Sequence, residues 1–367
     1  MKTKVSITKC KTYERIEVEL AVRKAFGLIG GIGVFVRKDE KVLIKPNMLS
    51  ARMPEDGVCT HPEVIRAVIR LVRECGAVPC IGDNPGGSIS SAEAYEGSGL
   101  ALLAKEEGVE LKEVKDVKVI NGIPIAAYFF ECDKIINLPK MKTHCLMGLT
   151  GAVKNMYGAV AGLHKSELHK KFPSPEEFAK VLVDTFEAVK PGLVLMDGIT
   201  AMDGQGPSSG RLRHPGILLA GEDSVAIDSV FAELIAMKPL DILTTKEAYR
   251  RKLGEADLKN IEISGESVKD SLINDFEVPG TPGLIAILGP LAKFVAGFIK
   301  FGPDINEKLC KKCMICHDSC PVSAITIKSE RSAIDLKKCI RCMCCHEVCP
   351  HKAIKLKKNI LARVFGL

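Results

Sequence analysis

The sequence predicts an α/β protein with a mostly parallel sheet covered by helices on both faces, plus a small C-terminal α+β unit. Over most of the 367 residues, short apolar runs alternate with helical patterns, an order typical of parallel strands joined by helices. Residues 303–367 carry 13 basic and 6 acidic side chains and nine of the 15 cysteines, whereas residues 1–302 carry 39 of each charge. Charge and cysteine content therefore separate the C-terminal unit from the rest.

The predicted strands are short apolar runs at 42–44, 78–81, 134–138, 193–196 and 217–220. Helical spacing of apolar side chains predicts helices between them, at 63–75, 91–107, 175–189 and 224–237. Thr60 is the expected N-cap of the first of these helices, and Gly76 is its expected stop. The glycine-rich segment 27–33 follows a helix and precedes a strand. Because a dinucleotide-binding fingerprint has the reverse order, this segment predicts a turn.

Polar side chains cluster where four of these strands end. They are Lys45 and Asn47 after the first strand, Asp83 and Asn84 after the second, Lys140, Lys142 and His144 after the third, and Asp197 and Asp203 after the fourth. Parallel sheets bind their ligands at the carboxyl ends of the strands. We therefore expect these clusters to form one composite site.

The chemistry of these residue types predicts roles within that site. We expect His144 to move a proton, because imidazole exchanges protons near neutral pH, and Lys142 to act beside it in catalysis. Asp197 and Asp203 are expected to orient reacting groups or to hold a metal ion. The expected substrate-binding residues, whose lysines suit an anionic group, are Lys45, Asn47, Asp83, Lys140, Lys154 and Asn155.

Three charged residues near these clusters have simpler interpretations. Lys165 and Lys170 are expected on the solvated surface. Asp228 lies early in a predicted helix, where interaction with a helix N-terminus is a sufficient explanation.

Composition narrows the class of protein. Trp is absent and aromatic residues make up 5% of the chain, which disfavours a stacking platform, so we expect no nucleic-acid partner. The sequence contains no Gly-x4-Gly-Lys-Ser/Thr phosphate loop and no serine nucleophile elbow. The first residues lack the apolar core of a signal peptide, which predicts a cytoplasmic protein. In that compartment, 15 cysteines indicate metal ligation rather than disulfides.

Residues 281–301 form a long apolar stretch between the two predicted units. Its length approaches that of a membrane span, but Pro290, Lys293 and Lys300 interrupt it. We expect a connector packed between domains, with peripheral membrane contact through 281–301 or through the basic, apolar C-terminal tail as the alternative. The predicted divisions are an α/β domain at 1–278, the connector at 279–302, a C-terminal domain at 303–358 and the tail at 359–367.

Eight cysteines of the C-terminal unit follow one spacing twice, Cys-x2-Cys-x2-Cys-x3-Cys-Pro. This is the spacing of bacterial ferredoxins with two [4Fe–4S] clusters, in which the fourth cysteine of each run binds the other cluster. The predicted ligands are Cys310, Cys313, Cys316 and Cys349 for one cluster and Cys339, Cys342, Cys345 and Cys320 for the other. Tetrahedral zinc is the alternative that paired C-x2-C motifs leave open.

Further details complete the prediction of a small dicluster ferredoxin domain. Cys344 falls outside the ligand spacing, and we expect it to be a bystander. Segments 324–327 and 353–356 are expected to be the paired short strands of a ferredoxin module. The lysines are expected to face solvent or to steer an acidic redox partner protein.

Several motifs of the larger segment are similar to those of one known family. They are Lys45-Pro-Asn47, Thr60-His-Pro62, Gly82-Asp83, the block from Leu138 to Gly158, and Met202-Asp-Gly-Gln-Gly-Pro207. Over residues 4–275 the sequence resembles the DUF362 family of iron–sulfur-associated proteins, in which an appended dicluster ferredoxin is a frequent arrangement. The resemblance implies an α/β domain coupled to redox clusters, and it implies no particular reaction or substrate.

These observations leave three hypotheses for the function. The first is a cytoplasmic, ferredoxin-dependent oxidoreductase that passes electrons between two [4Fe–4S] clusters and a small anionic substrate, with a redox partner protein as donor. The second is a non-catalytic electron carrier or assembly subunit of a larger redox complex. The third is a redox-sensing protein that binds a small ligand. The sequence leaves open whether a further cofactor occupies the α/β domain.

Overall fold

The computed structural model describes residues 2–279, 301–328 and 332–358. The strands of these segments are β1 Thr3–Lys9, β2 Lys41–Pro46, β3 Val78–Gly82, β4 Glu110–Lys112, β5 Val117–Ile120, β6 Ile123–Ala126, β7 Lys134–Leu138, β8 Lys140–His144, β9 Gly148–Thr150, β10 Leu193–Asp203, β11 Arg211–Arg213, β12 Ile217–Gly221, β13 Ile261–Gly265, β14 Phe301–Ile305, β15 Ile325–Ile327, β16 Ser332–Ile334 and β17 Ile354–Lys358. The α-helices are α1 Arg15–Gly27, α2 Pro62–Glu74, α3 Ser91–Gly97, α4 Leu100–Glu107, α5 Ala152–Asn155, α6 His164–Lys171, α7 Pro175–Ala188, α8 Ser224–Leu234, α9 Leu243–Arg250, α10 Ile315–Asp318 and α11 Cys344–Val348.

Eleven strands of the described residues form one sheet, in the order β13-β1-β12-β10-β7-β2-β3-β4. β8 and β11 also pair with β10, and β9 pairs with β8. Neighbouring strands are parallel from β10 through β7, β2 and β3 to β4, and again between β1 and β13. β12 runs antiparallel to both β1 and β10. The expected mostly parallel sheet is therefore confirmed, with β12 as an antiparallel member.

Alternating side chains divide the core between the two faces of this sheet. On β2, Val42 and Ile44 belong to one hydrophobic cluster with α1, α2 and α4, whereas Leu43 belongs to a second cluster with α7. A third cluster joins β1, β10 and β12 to α8. Because helices cover both faces, the central strands are apolar on both sides, as expected for parallel strands.

Two predicted elements end elsewhere than expected. The strand expected at 193–196 continues to Asp203, because its second half pairs with β8 and β11. The helix expected at 224–237 ends at Leu234. The interruption expected within 91–107 is present, since Gly97 ends α3 and Gly99 precedes α4 with a φ of 76°.

The N-cap of α2 is His61, not the expected Thr60. His61 Nδ1 accepts a hydrogen bond from the backbone N–H of Glu63. The Thr60 hydroxyl is engaged elsewhere, because it donates to the Leu138 carbonyl at 2.6 Å and accepts from the Asn47 N–H at 2.8 Å. Thr60 thereby joins the ends of β2 and β7.

The described residues of the C-terminal unit form two small sheets and two short helices. β14 pairs with β17 and β15 pairs with β16, both antiparallel. Segments 324–327 and 353–356 do contain strands, but the expectation that they pair with each other is wrong, because each has another partner.

The two halves of this unit share one backbone pattern. Lys312 and Met314 flank the second cysteine of the first run with φ values of 56° and 66°, and Arg341 and Met343 flank that of the second run with 59° and 63°. Left-handed backbone is uncommon for residues other than glycine. Its recurrence at matching positions indicates one local fold used twice.

Predictions for 281–301 fall outside the described residues except at Phe301, and those for 359–367 fall outside them entirely. Within the described ranges, no helix combines the length and the apolar character needed to cross a membrane. The division of the chain at 278, 302 and 358 stays a prediction.

Candidate functional site

The ends of β2 and β3 lie side by side and are joined by an ion pair. Lys45 Nζ lies 2.8 Å from Asp83 Oδ1, and both side chains are buried. Asp83 also accepts hydrogen bonds from the backbone N–H groups of Met48 and Asn84. Burial lowers the pKa of Lys45, and the charge of Asp83 opposes this shift. Gly158 packs directly on the pair, because a Cβ there would lie 1.9 Å from Asp83 Oδ1 and 2.6 Å from Lys45 Nζ.

Asp228 positions the short helix α5. Its carboxylate accepts hydrogen bonds from the backbone N–H groups of Ala152 and Val153. Gly151 leaves room for this carboxylate, since a Cβ there would lie 2.2 Å from Asp228 Oδ1. The carboxylate of Asp228 therefore interacts with the N-terminus of α5 and not with the N-terminus of its own helix, α8.

Three asparagine side chains connect α5 to the strand ends. Asn155 Nδ2 donates to Asn137 Oδ1 at 2.7 Å, and Asn47 Nδ2 donates to Asn155 Oδ1 at 2.8 Å. Asn137 Nδ2 donates in turn to the Ala152 carbonyl at 2.9 Å. Among the described residues, Asn47 Oδ1 is buried without a hydrogen-bond partner.

A cavity of about 680 Å³, here called the central cavity, lies between these strand ends and the C-terminal unit. Five predicted site residues line it, Asn47, Asp83, Lys142, Lys154 and Asn155. Further polar lining comes from Asn84, Thr150, Tyr157, Lys165, Ser166 and His169. The C-terminal unit contributes Cys344, Glu347 and Val348, all from α11. The composite site thus includes a wall that the strand-end rule did not predict.

Among the described residues, three lysines of the central cavity form no direct ion pair with a carboxylate. Lys142 Nζ donates to the Val58 carbonyl at 2.6 Å, and Lys165 Nζ donates to two backbone carbonyls. The charge of Glu347 acts on Lys154, and the charge of Asp83 acts on Lys165. Burial lowers the pKa of Lys142 and of Lys165 to about 7, and it also lowers the pKa of Lys154. A bound anion would favour the charged form of all three side chains.

Glu347 brings a carboxylate of the C-terminal unit to the edge of the sheet. Its Oε1 lies 2.9 Å from Nε2 of His144 on β8. His144 Nδ1 accepts hydrogen bonds from the backbone N–H groups of Leu146 and Met147, so the proton of the neutral ring lies on Nε2. Burial lowers the pKa of His144 to about 4. Burial opposes ionisation of Glu347, yet His144 and Lys154 hold the pKa of Glu347 below its usual range.

Lys140 and Asp197 form a second buried ion pair, and neither residue lines the central cavity. Lys140 Nζ lies 2.7 Å from Asp197 Oδ2 and donates to the Tyr13 hydroxyl at 2.6 Å. The Tyr13 hydroxyl donates to Asp197 Oδ1 at 2.9 Å, and the backbone N–H of His61 donates to Oδ2. These charges are satisfied within the group itself.

Asp203 lies at the end of β10, and the structure does not bring it to the other predicted residues. Its Oδ2 is 2.8 Å from Arg211 and 3.0 Å from Arg213, so the carboxylate joins β10 to β11. Across residues 2–279, 301–328 and 332–358, no three His, Cys, Asp or Glu side chains are grouped so that they could hold a single metal ion.

Lys165 is buried, and the expectation of a solvated side chain is wrong. It is 7% exposed, whereas Lys170 faces solvent as expected. Lys165 and His169 are four residues apart on α6, which places them on one helix face, and both line the central cavity. The His169 ring stacks on Phe178 with 3.8 Å between ring centroids, and burial lowers its pKa to about 3. The four-residue spacing of Lys165 and His169 is the signal in the sequence that could have identified both as residues of one site.

Hydrogen bonds fix α11 against the α/β segment. The two ring nitrogens of His346 lie 3.0 Å from the Gln205 carbonyl and 2.7 Å from the Ile354 carbonyl. The Ser208 hydroxyl donates to the His346 carbonyl at 2.9 Å. The C-terminal unit is therefore held at the central cavity through backbone groups as well as through Glu347.

The eight predicted ligand cysteines fall into two groups in space, here called set A and set B. Set A comprises Cys310, Cys313, Cys316 and Cys349, and set B comprises Cys320, Cys339, Cys342 and Cys345. Burial raises the pKa of Cys316 to about 12, and the other three thiols of set A add to the shift. Burial also raises the pKa of Cys345 well above its usual value, with contributions from the rest of set B and from Cys316. Cys349, which ends the second cysteine run, thus lies with the first three cysteines of the first run. Cys320, which ends the first run, lies with the first three cysteines of the second run. This is the crossed arrangement of the predicted ligand sets.

Set B encloses a cavity of about 310 Å³, and all four of its thiols line this cavity. Backbone N–H groups point at two of the sulfurs, from Ala324 to Cys320 at 3.3 Å and from Arg341 to Cys339 at 3.4 Å. The four thiols and the hydrogen bonds that two of them accept fit an iron–sulfur cluster, whose sulfurs accept such hydrogen bonds.

Cys344 separates the two cavities. Its side chain lines both the central cavity and the cavity of set B. It is buried, with 7% of its surface exposed. One side chain therefore stands between the lysine-lined space and the thiols of set B.

Two family models match separate parts of the chain. Residues 42–233, just over half of the chain, match the family described as "Domain of unknown function (DUF362)". The chain belongs to the DUF362 family. Residues 303–350 match a 4Fe-4S dicluster domain. The C-terminal unit of this DUF362 protein therefore has an iron–sulfur electron-transfer role, and the zinc alternative is set aside.

Individual proteins extend the comparison. The thylakoid-associated protein sll1697 of Synechocystis sp. is 33% identical to this DUF362 chain over 258 residues, covering 68% of the chain and 79% of that protein. The lactate racemase apoprotein from Thermoanaerobacterium thermosaccharolyticum aligns with a TM-score of 0.37 at 13% identity, over 60% of this chain and 54% of that one. A protein from Thermotoga maritima aligns with a TM-score of 0.34 at 14% identity, over 53% and 52%. The chain spans about half the length of each of these two solved structures.

Proposed function

We propose that this DUF362 protein is an oxidoreductase that passes electrons between two [4Fe–4S] clusters, held by set A and set B, and a small anion in the central cavity. The observation that carries the proposal is the position of Cys344, which lines both the central cavity and the cavity of set B. Clusters bound there supply single electrons. The residues around the central cavity bind the anion and provide protons.

Binding of an anion is supported by the charges of the cavity wall. Lys142, Lys154 and Lys165 line the central cavity without a direct ion pair in the described residues, whereas the nearby Lys45 lies 2.8 Å from Asp83. Three lysines thus line the cavity with two carboxylates, Asp83, which is paired with Lys45, and Glu347. Lysine is a flexible point charge that suits carboxylate or phosphate oxygens.

Proton transfer is better assigned to lysines than to His144. His144 does not line the central cavity, its pKa is lowered to about 4, and its Nε2 faces Glu347. Lys142 and Lys165 do line the cavity, and burial lowers their pKa to about 7. Groups with a pKa near the working pH are efficient proton donors. We assign proton delivery to these two lysines and orientation of Glu347 to His144.

The test is reoxidation of the reduced protein by small anions. Protein purified and reduced without oxygen is mixed with a panel of small carboxylates and phosphate esters that each carry a reducible group, such as a ketone or an activated double bond, and cluster reoxidation is followed by visible absorbance. We expect at least one anion to reoxidise the wild-type protein, and the Lys154→Gln variant to react at least about tenfold more slowly because a cationic group of the cavity wall is gone. The control is Lys170→Gln, which removes a solvent-exposed lysine of α6.

Two outcomes would contradict the proposal. Equal rates in the wild type and Lys154→Gln would show that the anion reacts elsewhere. Clusters that stay reduced with every anion of the panel, while an added redox protein reoxidises them, would favour a non-catalytic electron carrier.

We also propose that the protein works in the cytoplasm in peripheral contact with a membrane. The relative from Synechocystis sp. is named as thylakoid-associated, and the sequence at 281–301 and in the C-terminal tail is apolar with lysines or arginines. Cell fractionation tests this. Recovery in the membrane fraction, with release by an alkaline carbonate wash, is the expected result, and recovery only in the soluble fraction would contradict it.

A further inference from the structure

We infer that electrons enter through set A, from an acidic redox protein that docks on the lysines around Cys313, and leave through set B toward the central cavity. The inference rests on the proposed function and adds to it the order of the two thiol sets and the chemistry of the partner. It follows from three asymmetries between the sets, in cavity contact, in exposure and in charge.

The first asymmetry is contact with the central cavity. Cys344, whose side chain lines the central cavity, also lines the cavity enclosed by set B. None of the four set A thiols lines either of these two cavities. Set B is therefore the set that adjoins the ligand space.

The second asymmetry is exposure to solvent. Of the eight ligand thiols, all of which lie in the described residues, Cys313 is the one that is exposed. Its counterpart in the second run, Cys342, is partly buried and lines the cavity of set B. A partner protein can approach the Cys313 sulfur directly, and this makes set A the accessible end.

The third asymmetry is the charge of the loop that carries Cys313. Lys308, Lys311 and Lys312 are all exposed around it. The one carboxylate in 305–313, Glu307, is engaged by the backbone N–H of Ser332 at 2.6 Å. A cluster of like charges steers an oppositely charged protein and raises its association rate. The partner that fits this surface is an acidic electron-transfer protein.

A competing site exists near set B. Lys337, Lys338 and Arg341 are also exposed, before and within the second cysteine run. The thiols Cys339 and Cys342 beside them are only partly exposed, unlike Cys313. The geometry therefore favours the Cys313 loop, and the experiment compares both loops.

The experiment uses the cluster-loaded full chain and an acidic flavodoxin as the probe. Binding of oxidised flavodoxin is measured by titration calorimetry, and cluster reduction by reduced flavodoxin is measured by stopped flow, both at low and high salt. The test variant is Lys308→Glu/Lys311→Glu. We expect its affinity and its reduction rate at low salt to fall at least about tenfold, and the difference to shrink at high salt because ions screen exposed charges.

Two controls make the result specific. Lys180→Glu/Lys246→Glu makes the same change in net charge on α7 and α9, and it should leave binding and reduction near the wild-type values. Methyl viologen, a small cationic reductant, should reduce the Lys308→Glu/Lys311→Glu variant no more slowly than the wild type.

The inference is overturned if Lys337→Glu/Lys338→Glu weakens flavodoxin binding more than Lys308→Glu/Lys311→Glu, because the second loop would then be the docking surface. It is also overturned if binding does not depend on salt. The flavodoxin measurements use no anionic substrate. A negative result in the reoxidation assay would therefore not change the result of the flavodoxin measurements, and the two proposals can fail independently.

Discussion

Oε1 of Glu347, on the helix α11 of the iron–sulfur unit, lies 2.9 Å from Nε2 of His144, on β8 of the main sheet. Both side chains are largely buried, and His144 is 1% exposed. Because His144 Nδ1 accepts two backbone hydrogen bonds, the proton of the neutral ring lies on Nε2, although no hydrogen bond joins this nitrogen to Glu347 Oε1. The two side chains meet where the C-terminal unit contributes to the wall of the central cavity.

Removing the charge of Glu347 should weaken the attachment of the two units. We expect Glu347→Gln to lower the free energy of unfolding by about 1–3 kcal/mol, because the buried carboxylate loses its attraction to His144 and Lys154. Anaerobic urea titration of the cluster-loaded protein measures this. The matched control is Glu167→Gln, whose partner His164 lies 2.8 Å away on the surface, and it should show no measurable change. Equal stability of Glu347→Gln and wild type would contradict the assigned role.

Gly158 should not tolerate a side chain. We expect Gly158→Ala to lower stability by about 3 kcal/mol or more, because its Cβ would break the buried Lys45–Asp83 pair that it touches. Gly192→Ala is the control, since a Cβ there meets nothing within 4 Å. Thermal unfolding of both variants tests the difference, and a Gly158→Ala protein as stable as Gly192→Ala would show that the pair does not need this space.

Anion binding in the central cavity should weaken as pH rises above neutrality. Burial lowers the pKa of Lys142 and Lys165 to about 7, so each loses its proton mainly through about pH 6–8, whereas an exposed lysine would stay charged. An anion binds the protonated forms, and each lysine can therefore contribute up to about a tenfold loss of affinity per pH unit. Sulfate, which keeps its charge over this range, is the probe for calorimetry between pH 6 and 9.

The same titration on Lys142→Gln identifies the source of the effect. This variant should bind sulfate more weakly at pH 6 and show a shallower pH dependence, because one of the two titrating groups is gone. A sulfate affinity that is constant from pH 6 to 9 in the wild type would show that neither lysine binds the anion.

Cys344 should be dispensable for cluster assembly, in contrast to its neighbour Cys342. We expect Cys344→Ala to retain the iron and sulfide of the wild type, about eight of each per chain for two [4Fe–4S] clusters. Cys342→Ser should lose close to half, because it removes a ligand of set B. Iron and acid-labile sulfide analysis of anaerobically purified protein measures this. Loss of iron in Cys344→Ala as large as in Cys342→Ser would mean that Cys344 is a ligand.

Much of the candidate site could be predicted from strand ends. Lys45, Asp83 and Lys142 follow or continue apolar runs, and a parallel sheet brings the ends of such runs to one edge. Asp197 and Asp203 gave the same signal, but β10 continues through both of them because β8 and β11 provide pairing partners. From the sequence alone, a polar residue that follows a short apolar run can mark the end of a strand. It can equally be part of a buried ion pair in the middle of a longer strand.

The rest of the site depends on how the two units meet, which leaves no local signal in the sequence. Glu347 and Cys344 lie inside a cysteine run, so their spacing identifies only the metal ligands around them. Their contact with the central cavity depends on hydrogen bonds such as those of His346 and Ser208 with residues far away in the chain. The expectation for Lys165 is wrong because a lysine-rich helix resembles a solvated surface, whereas its amino group donates to the distant carbonyls of Asn84 and Pro85.

The central claim is that a redox centre held by set B shares the Cys344 wall with an anion-binding cavity. A crystal structure of the anaerobically purified protein, soaked with an anion that reoxidises the clusters, tests this most directly. The account predicts iron–sulfur density bonded to Cys320, Cys339, Cys342 and Cys345, and the anion within hydrogen-bond distance of Lys154. Single zinc ions at the thiols, or an anion bound outside the central cavity, would contradict it.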